Sequence, residues 1–329
     1  MTSHAQPARW LVVAAFAAVY VIWGSTYLAI RFALETMPPF GMAGVRFLIA
    51  GGLLYGWMRW RGAPRPQWIE WRSAAIVGVL LLVGGNGGVV WAELSVPSGI
   101  AALIVSSVPL FMVALDWLLG ARPPRAVIVG LALGFTGVVL LVGPSNLSSG
   151  FSGSVPFHLP GVLALLAASL SWSIGSLYSK RSPWPKAPLV GISMQMLAGG
   201  AGLMVLALAR GETLDLAALS ARSLGSLAYL IFFGALIGFS AYVWLLGVVS
   251  TAKAATYAFV NPAVAVVLGW WLAGEPLTAR TLIAAAVIIA GVVLITTARS
   301  ASEPQESDSV QDSETTRDCP VPKVCESSA

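Results

Sequence analysis

The chain has 329 residues, of which 57% are hydrophobic and only 10% charged. Its net charge of +5 joins two unlike pieces, with 16 Lys/Arg against 7 Asp/Glu in the first 298 residues and 3 against 7 in the last 31. Soluble domains average about a quarter charged residues, which excludes a soluble enzyme, a secreted disulfide scaffold and a fibrous chain, and the basic groups form no single patch, which makes a nucleic-acid binder a poor reading.

A membrane-spanning helix needs about 20 mostly apolar residues. On that rule the chain holds ten: 10–33, 39–59, 73–92, 97–119, 126–143, 160–179, 187–208, 224–247, 253–273 and 279–298. The first run follows Arg9 and passes into the next without a clear cleavage site, so it reads as a retained anchor after a short N-terminus, 1–9. Met37-Pro38-Pro39, Arg61-Gly62-Ala63-Pro64, Pro123-Pro124 and Pro183-Trp184-Pro185 stop helices between the runs, because proline lacks an amide donor and fixes its backbone. The separator 144–159 is Gly/Ser-rich and reads as a linker between two halves, 10–143 and 160–298. Residues 299–329 are acidic, Ser-rich and almost without apolar groups, the composition of a disordered tail.

Lys and Arg alternate from loop to loop. Arg9, Arg59, Arg61, Arg65, Arg72, Arg122, Arg125, Lys180, Arg181, Lys186, Lys253 and Arg299 fall on one side, against Arg210, Arg222, Arg280 and the border residue Arg31 on the other. The positive-inside rule then places both termini in the cytoplasm. Cys319 and Cys325 lie in the tail, and His4 and His158 stand far from them, so no metal set forms. No nucleotide or cofactor fingerprint occurs, and neither ATP nor another cofactor is expected.

Sliding the sequence on itself by 153 residues superposes Pro109, Trp117 and Pro123 on Pro262, Trp270 and Pro276. Near an offset of 149, Trp23, Leu28 and Arg31 meet Trp172, Leu177 and Lys180. Proline and tryptophan in constant register point to a duplication of five spans. Five is odd, so the second copy enters the bilayer from the opposite face. The expected fold is an all-α polytopic membrane protein of ten transmembrane helices, arranged as two inverted five-helix repeats around a central cavity. Such repeats can exchange shapes and open one site to each side in turn.

Ile22-Trp23-Gly24-Ser25-Thr26-Tyr27, Gly44-Val45-Arg46-Phe47, Ser98-Gly99-Ile100-Ala101-Ala102, Val260-Asn261-Pro262 and Gly274-Glu275-Pro276-Leu277-Thr278 are the residues on which a family resemblance stands. With them the sequence resembles the drug/metabolite transporter superfamily, and within it the EamA-type exporters of the bacterial inner membrane. The likeness covers about residues 10–298. It implies a multi-pass inner-membrane protein, not an enzyme, with a cavity built mainly from spans one, three, four, six, eight and nine. Arg122 stands where the second copy has Glu275, which favours a loop-capping, structural duty for that acid.

Ionisable groups within apolar spans are costly and are functional candidates by default. Arg46 could attract an anionic group, bind helix-end carbonyls or pair with Glu35; its membership in the family pattern favours a structural charge. Glu93 ends span three and is the best acid for proton coupling, with simple solvation at the helix end as the alternative. Lys253 is charged where its counterpart Ile100 is apolar, which suits a substrate carboxylate or snorkelling to headgroups. Asn86 lies among four glycines, and Asn261 precedes Pro262. Pro109 and Pro262 are expected to break their helices, and broken helices line cavities more readily than they face lipid.

Trp10, Trp57, Trp60, Trp68, Trp71 and Trp184 sit at span edges as interface anchors. Trp23, Tyr27, Trp91, Trp172, Tyr178, Tyr242, Trp244 and Tyr257 lie in or near the ends of spans and line an aromatic cavity or pack between helices. The leading expectation is secondary export of small organic metabolites or drugs, such as amino acids or amines. A membrane-embedded lipid-modifying enzyme lacks an acid/base or metal cluster here, and a passive channel would not need paired halves. The partners are a small-molecule substrate and the lipid bilayer, with Gly51-Gly52 and Gly199-Gly200 offering close-packing surfaces for a homodimer.

Overall fold

Polar turns rich in Pro and Gly separate the apolar runs. The computed structural model describes residues 8–120, 124–142, 159–249 and 256–300, and among them every regular element is a helix. In chain order these are α1 (Arg9–Ala33), α2 (Pro39–Trp60), α3 (Trp68–Ala92), α4 (Ser98–Leu118), α5 (Arg125–Val142), α6 (Leu159–Ser179) and α7 (Pro188–Ala209). Then come α8, which runs through Ala221–Tyr229, Leu230–Ile237 and Gly238–Val248, followed by α9 (Tyr257–Ala273) and α10 (Ala279–Ser300). Seven of them, α1 to α4 and α6 to α8, are long and apolar enough to cross a membrane, while α5, α9 and α10 carry shorter apolar stretches. Residues 1–7, Arg122, most of the 144–159 linker, Lys253 and the tail with its cysteines lie outside the described residues.

Two helices begin earlier than the apolar runs suggest. α3 starts at Trp68 rather than 73 because Gln67 and Glu70 form a capping box, with the Gln67 amide donating to Glu70 Oε2 at 2.6 Å. α8 starts at Ala221 rather than 224, and Ser220 Oγ accepts the Ser223 amide at 3.0 Å. The charges of Glu70, Arg72 and Arg222 put these first turns outside a rule that counts only apolar runs.

Each half contains a helix whose middle widens. Val79–Asn86 in α3 and Leu230–Ile237 in α8 are π-helical, a rare geometry that recurs at functional sites. A side chain from a neighbouring helix hydrogen-bonds a carbonyl of each wide stretch. Ser171 Oγ of α6 donates to Leu80 O at 2.7 Å, and Trp23 Nε1 of α1 donates to Gly234 O at 3.1 Å.

The two prolines singled out from the sequence behave differently. α4 is interrupted between Ser98–Val105 and Val108–Leu118, and Pro109 lies in the first turn of the second piece. Pro262, expected to break its helix, sits inside a continuous α9. It is the sixth residue of α9, beyond the first turn in which a missing amide costs nothing, and the helix runs on through it.

Packing relates the halves. α1 lies against α8 and α9 as α6 lies against α3 and α4. Equivalent helices also meet each other, and they run antiparallel. In α2 and α7, Gly44 faces Met204, Leu48 faces Gly200 and Gly51 faces Met196. In α5 and α10, Gly130 faces Ile295, Gly134 faces Gly291 and Gly137 faces Ile288. Small residues let these backbones approach closely, as helices do in lipid, where packing replaces the hydrophobic drive. Gly51, Gly199 and Gly200, read as surfaces for a second copy, are thus consumed within the chain, whereas Gly52 meets nothing within 4 Å. Trp184, read as an interface anchor, instead folds onto Gly191 of α7. Large apolar side chains such as Val21, Leu53, Val205, Leu208 and Trp271 face outward, as lipid-facing surfaces require.

One main core is built by α1, α2, α3, α7 and α8, around Phe47, Leu82, Met196, Leu203 and Leu230. A second joins α3, α4, α5, α6 and α10, around Leu103, Ile104, Leu165 and Ile288. The face on which α1 starts is called near below, and the face on which α1 ends and α2 begins is called far.

Candidate functional site

Trp23 in α1 is the centre of an aromatic group. Its ring lies 5.3 Å from Phe239 and 5.2 Å from both Tyr242 and Tyr257, centroid to centroid, and Tyr242 stands edge-on to Tyr257 at 5.4 Å. Edge-to-face geometry of this kind suits ring quadrupoles. The α8 backbone makes room for it, since a Cβ at Gly238 would stand 2.4 Å from Trp23 Nε1. Ser25 Oγ lies 2.7 Å from Tyr229 OH, which ties α1 to the start of α8 at a second point. Trp23→Phe keeps the ring but removes the bond to Gly234 O. Thermal unfolding is expected to show a loss of about 1 kcal/mol, with α8 as the helix that loosens in hydrogen exchange.

Several buried polar atoms have nothing to bond. Nε and Nη1 of Arg46, both carboxyl oxygens of Glu93, and Oδ1 of Asn86 and of Asn261 are buried without a hydrogen-bond partner among the described residues. Arg46 is 4% exposed and Glu93 3%. Buried groups of this kind each cost free energy unless something pairs with them. Glu93 is close enough to feel the charges of Glu275, Arg31 and Arg46, and Tyr27 lies within its field. The guanidinium of Arg46 stacks near Phe47, 4.7 Å from the ring centroid, and its Nη2 reaches the π-helical stretch of α8 at Gly234. It does not pair with Glu35. That acid meets Arg222 Nη1 at 3.1 Å, because the start of α8 crosses the α1–α2 turn and leaves Arg46 deeper in the bundle.

Asn86 closes the π-helical stretch of α3, and Asn261 packs its backbone against Gly24 of α1. Trp172 covers Gly85, and Tyr178 packs on the first core. Trp91 opens to a cleft of about 390 Å³ between α3 and α6, whose floor includes Gly84, Gly87 and Gly88. Trp244 is 37% exposed and takes no part in the ring cluster. Lys253 lies outside the described residues.

Glu275 follows the left-handed Gly274 (φ 64°) that ends α9, a conformation glycine adopts freely. The turn aims its carboxylate at the start of α4. Oε1 accepts the Ser98 amide at 2.7 Å and the Ser98 hydroxyl at 2.8 Å, and Oε2 accepts the Gly99 amide at 3.0 Å. Arg31 Nε stands 3.6 Å from Oε1. Glu212 does the same for α2, taking the Phe40 and Gly41 amides at 3.2 and 2.8 Å. The sequence gives no local sign of Glu212 or of Phe239, since each acts on a helix remote along the chain.

The profile of the EamA-like transporter family matches residues 9–143 and again 159–297. The chain belongs to the EamA-like transporter family. This EamA-like chain is 42% identical over 272 residues to the "Uncharacterized inner membrane transporter YedA" of Escherichia coli (strain K12), covering 82% of this chain and 86% of that one. It is 26% identical over 287 residues to the "Probable amino-acid metabolite efflux pump" of Salmonella typhimurium, covering 82% of this chain and 89% of that one. A crystal structure of another protein, 22% identical, superposes with a TM-score of 0.59 and covers 90% of this chain and 100% of that chain, which shows a shared fold. The double family match falls on the halves already related by packing.

Proposed function

We propose that the chain is a secondary exporter of small organic metabolites or drugs, amino acids and amines first among them, working by alternating access in a bacterial inner membrane. The observation that carries this reading is the antiparallel pairing of equivalent helices, α2 with α7 and α5 with α10. Two like units of opposite sense, inserted as ten crossings, supply two mirror shapes of one site. With both termini cytoplasmic, the near face is the cytoplasmic one. We place the site among Trp23, Tyr27, Arg46, Glu93, Tyr257 and Asn261, which α1, α2, α3, α8 and α9 supply, with Asn86 of α3 as a further candidate.

The chemistry of that set favours a small amphipathic molecule. Aromatic faces take its apolar part and can hold an ammonium by cation–π attraction. Arg46 offers donors to a carboxylate, and Glu93 offers an acceptor to an ammonium or takes and releases the coupling proton. The Salmonella relative, by its name, handles amino-acid metabolites, which supports this substrate class. Purified protein in liposomes, challenged with a mixture of amino acids, amines and drugs under an imposed pH gradient, is expected to move at least one of them faster than empty liposomes. Absence of gradient-stimulated flux across the whole mixture would remove the reading. Cysteines introduced at positions 122 and 275 are expected to react with an impermeant thiol reagent from opposite sides.

A further inference from the structure

The two halves are laced together at the far face by groups that come in opposite pairs. Glu275, at the end of α9, closes on the first turn of α4 and on Arg31 of α1. Glu212, after α7, closes on the first turn of α2. Arg222 of α8 pairs with Glu35 and lies 3.6 Å over the Phe32 ring, and Ser223 Oγ donates to Phe32 O at 2.9 Å. Each of these contacts joins the second half to the first. A carboxylate on free amides at a helix start is favoured both by hydrogen bonding and by the helix dipole. The niche for Glu275 is cut to fit, since a Cβ at Gly269 would stand 2.5 Å from Oε2.

The sequence repeat does not carry the same pair of residue types to the near face. The internal repeat sets Arg122 where the far face has Glu275, and Lys180 where it has Arg31. In sequence, an acid and a base are exchanged for two bases. Exchange of shapes between the halves is therefore not symmetric in energy.

We infer that Glu275, held by Gly269 and joined to Arg31, is a one-sided latch that keeps the far face shut in the absence of substrate, with Glu212 as its second point. This rests on the alternating-access reading above. A ligand that opens the far face must contribute enough differential affinity to undo the latch. Glu275 acts on helix position and is a positioning residue, not a group that touches substrate.

Val266 of α9 packs against Gly99 just inside the latch and serves as a reporter. In a Cys319→Ser, Cys325→Ser, Val266→Cys background, an impermeant maleimide is applied from either side of oriented proteoliposomes without substrate. The parent is expected to react faster from the near side. Glu275→Ala is expected to raise the far-to-near rate ratio at least about tenfold, the scale of one charge-assisted hydrogen bond. Gly269→Ala, which keeps the charge but pushes the carboxylate out of its niche, is expected to shift the ratio the same way and covers the case in which Glu275→Ala does not fold. An unchanged ratio in both variants, with the cysteine reactive from both sides, overturns the latch and leaves alternating access standing. Reaction from one side alone in every protein overturns both.

Discussion

Glu93→Gln protein in liposomes is expected to lose gradient-driven flux by about 100-fold or more, the scale on which a proton-transfer group acts, while retaining substrate-for-substrate exchange. The amide imitates the neutral acid in shape and cannot release a proton, so it uncouples the gradient without emptying the site. Arg46→Met makes the complementary case. The guanidinium leaves Nε and Nη1 buried and unpaired, and an apolar side chain of similar volume removes that desolvation cost, so thermal stability is expected to hold or rise. Net flux and exchange are both expected to fall, because the donors for an anionic group are gone. Glu93→Gln with intact gradient-driven flux would deny Glu93 the coupling role. Arg46→Met with intact exchange would return Arg46 to a structural role beside Phe47.

These two residues also mark what the sequence displays and what it hides. Composition, Pro/Gly punctuation and the repeat in Pro and Trp register expose an all-helical membrane protein in two related halves, because those signals are local or periodic. The set Trp23, Tyr242 and Tyr257 is legible as aromatic residues within spans, since an aromatic in a span must pack or line something. Their union around Trp23, with Phe239 as a fourth ring, is not, as it depends on how α8 turns against α1. The π-helical stretches leave no trace in the apolar pattern, nor do the outside donors that Leu80 and Gly234 meet within them. Arg46 shows why charge proximity along the chain misleads. Glu35 is its near neighbour in sequence, yet Arg222 reaches that acid from the other half. Pro262 shows that a proline alone does not dictate a break, for α9 runs on through it while α4 is interrupted beside Pro109.

Gly291→Leu is expected to be the most damaging single change to the scaffold, with a loss of about 3 kcal/mol or more and a sharp fall in monodisperse protein. A Cβ there would stand 2.7 Å from Gly130 O and from Gly134 N, and 3.0 Å from Gly134 Cα. All three are backbone atoms, so no rotamer change relieves the clash and α5 must move away from α10 as a body. Gly52→Leu is the matched control: its Cβ meets nothing within 4 Å on α2, and stability is expected to stay unchanged. Size-exclusion profiles and thermal unfolding in detergent read both. Equal tolerance of the two substitutions would mean that the α5–α10 contact is not a fixed joint. The consequence reaches transport, because antiparallel equivalents in direct backbone contact give the halves a common seam about which to exchange shapes. Loosening that seam should degrade flux in proportion to stability, whereas Glu93→Gln degrades flux alone.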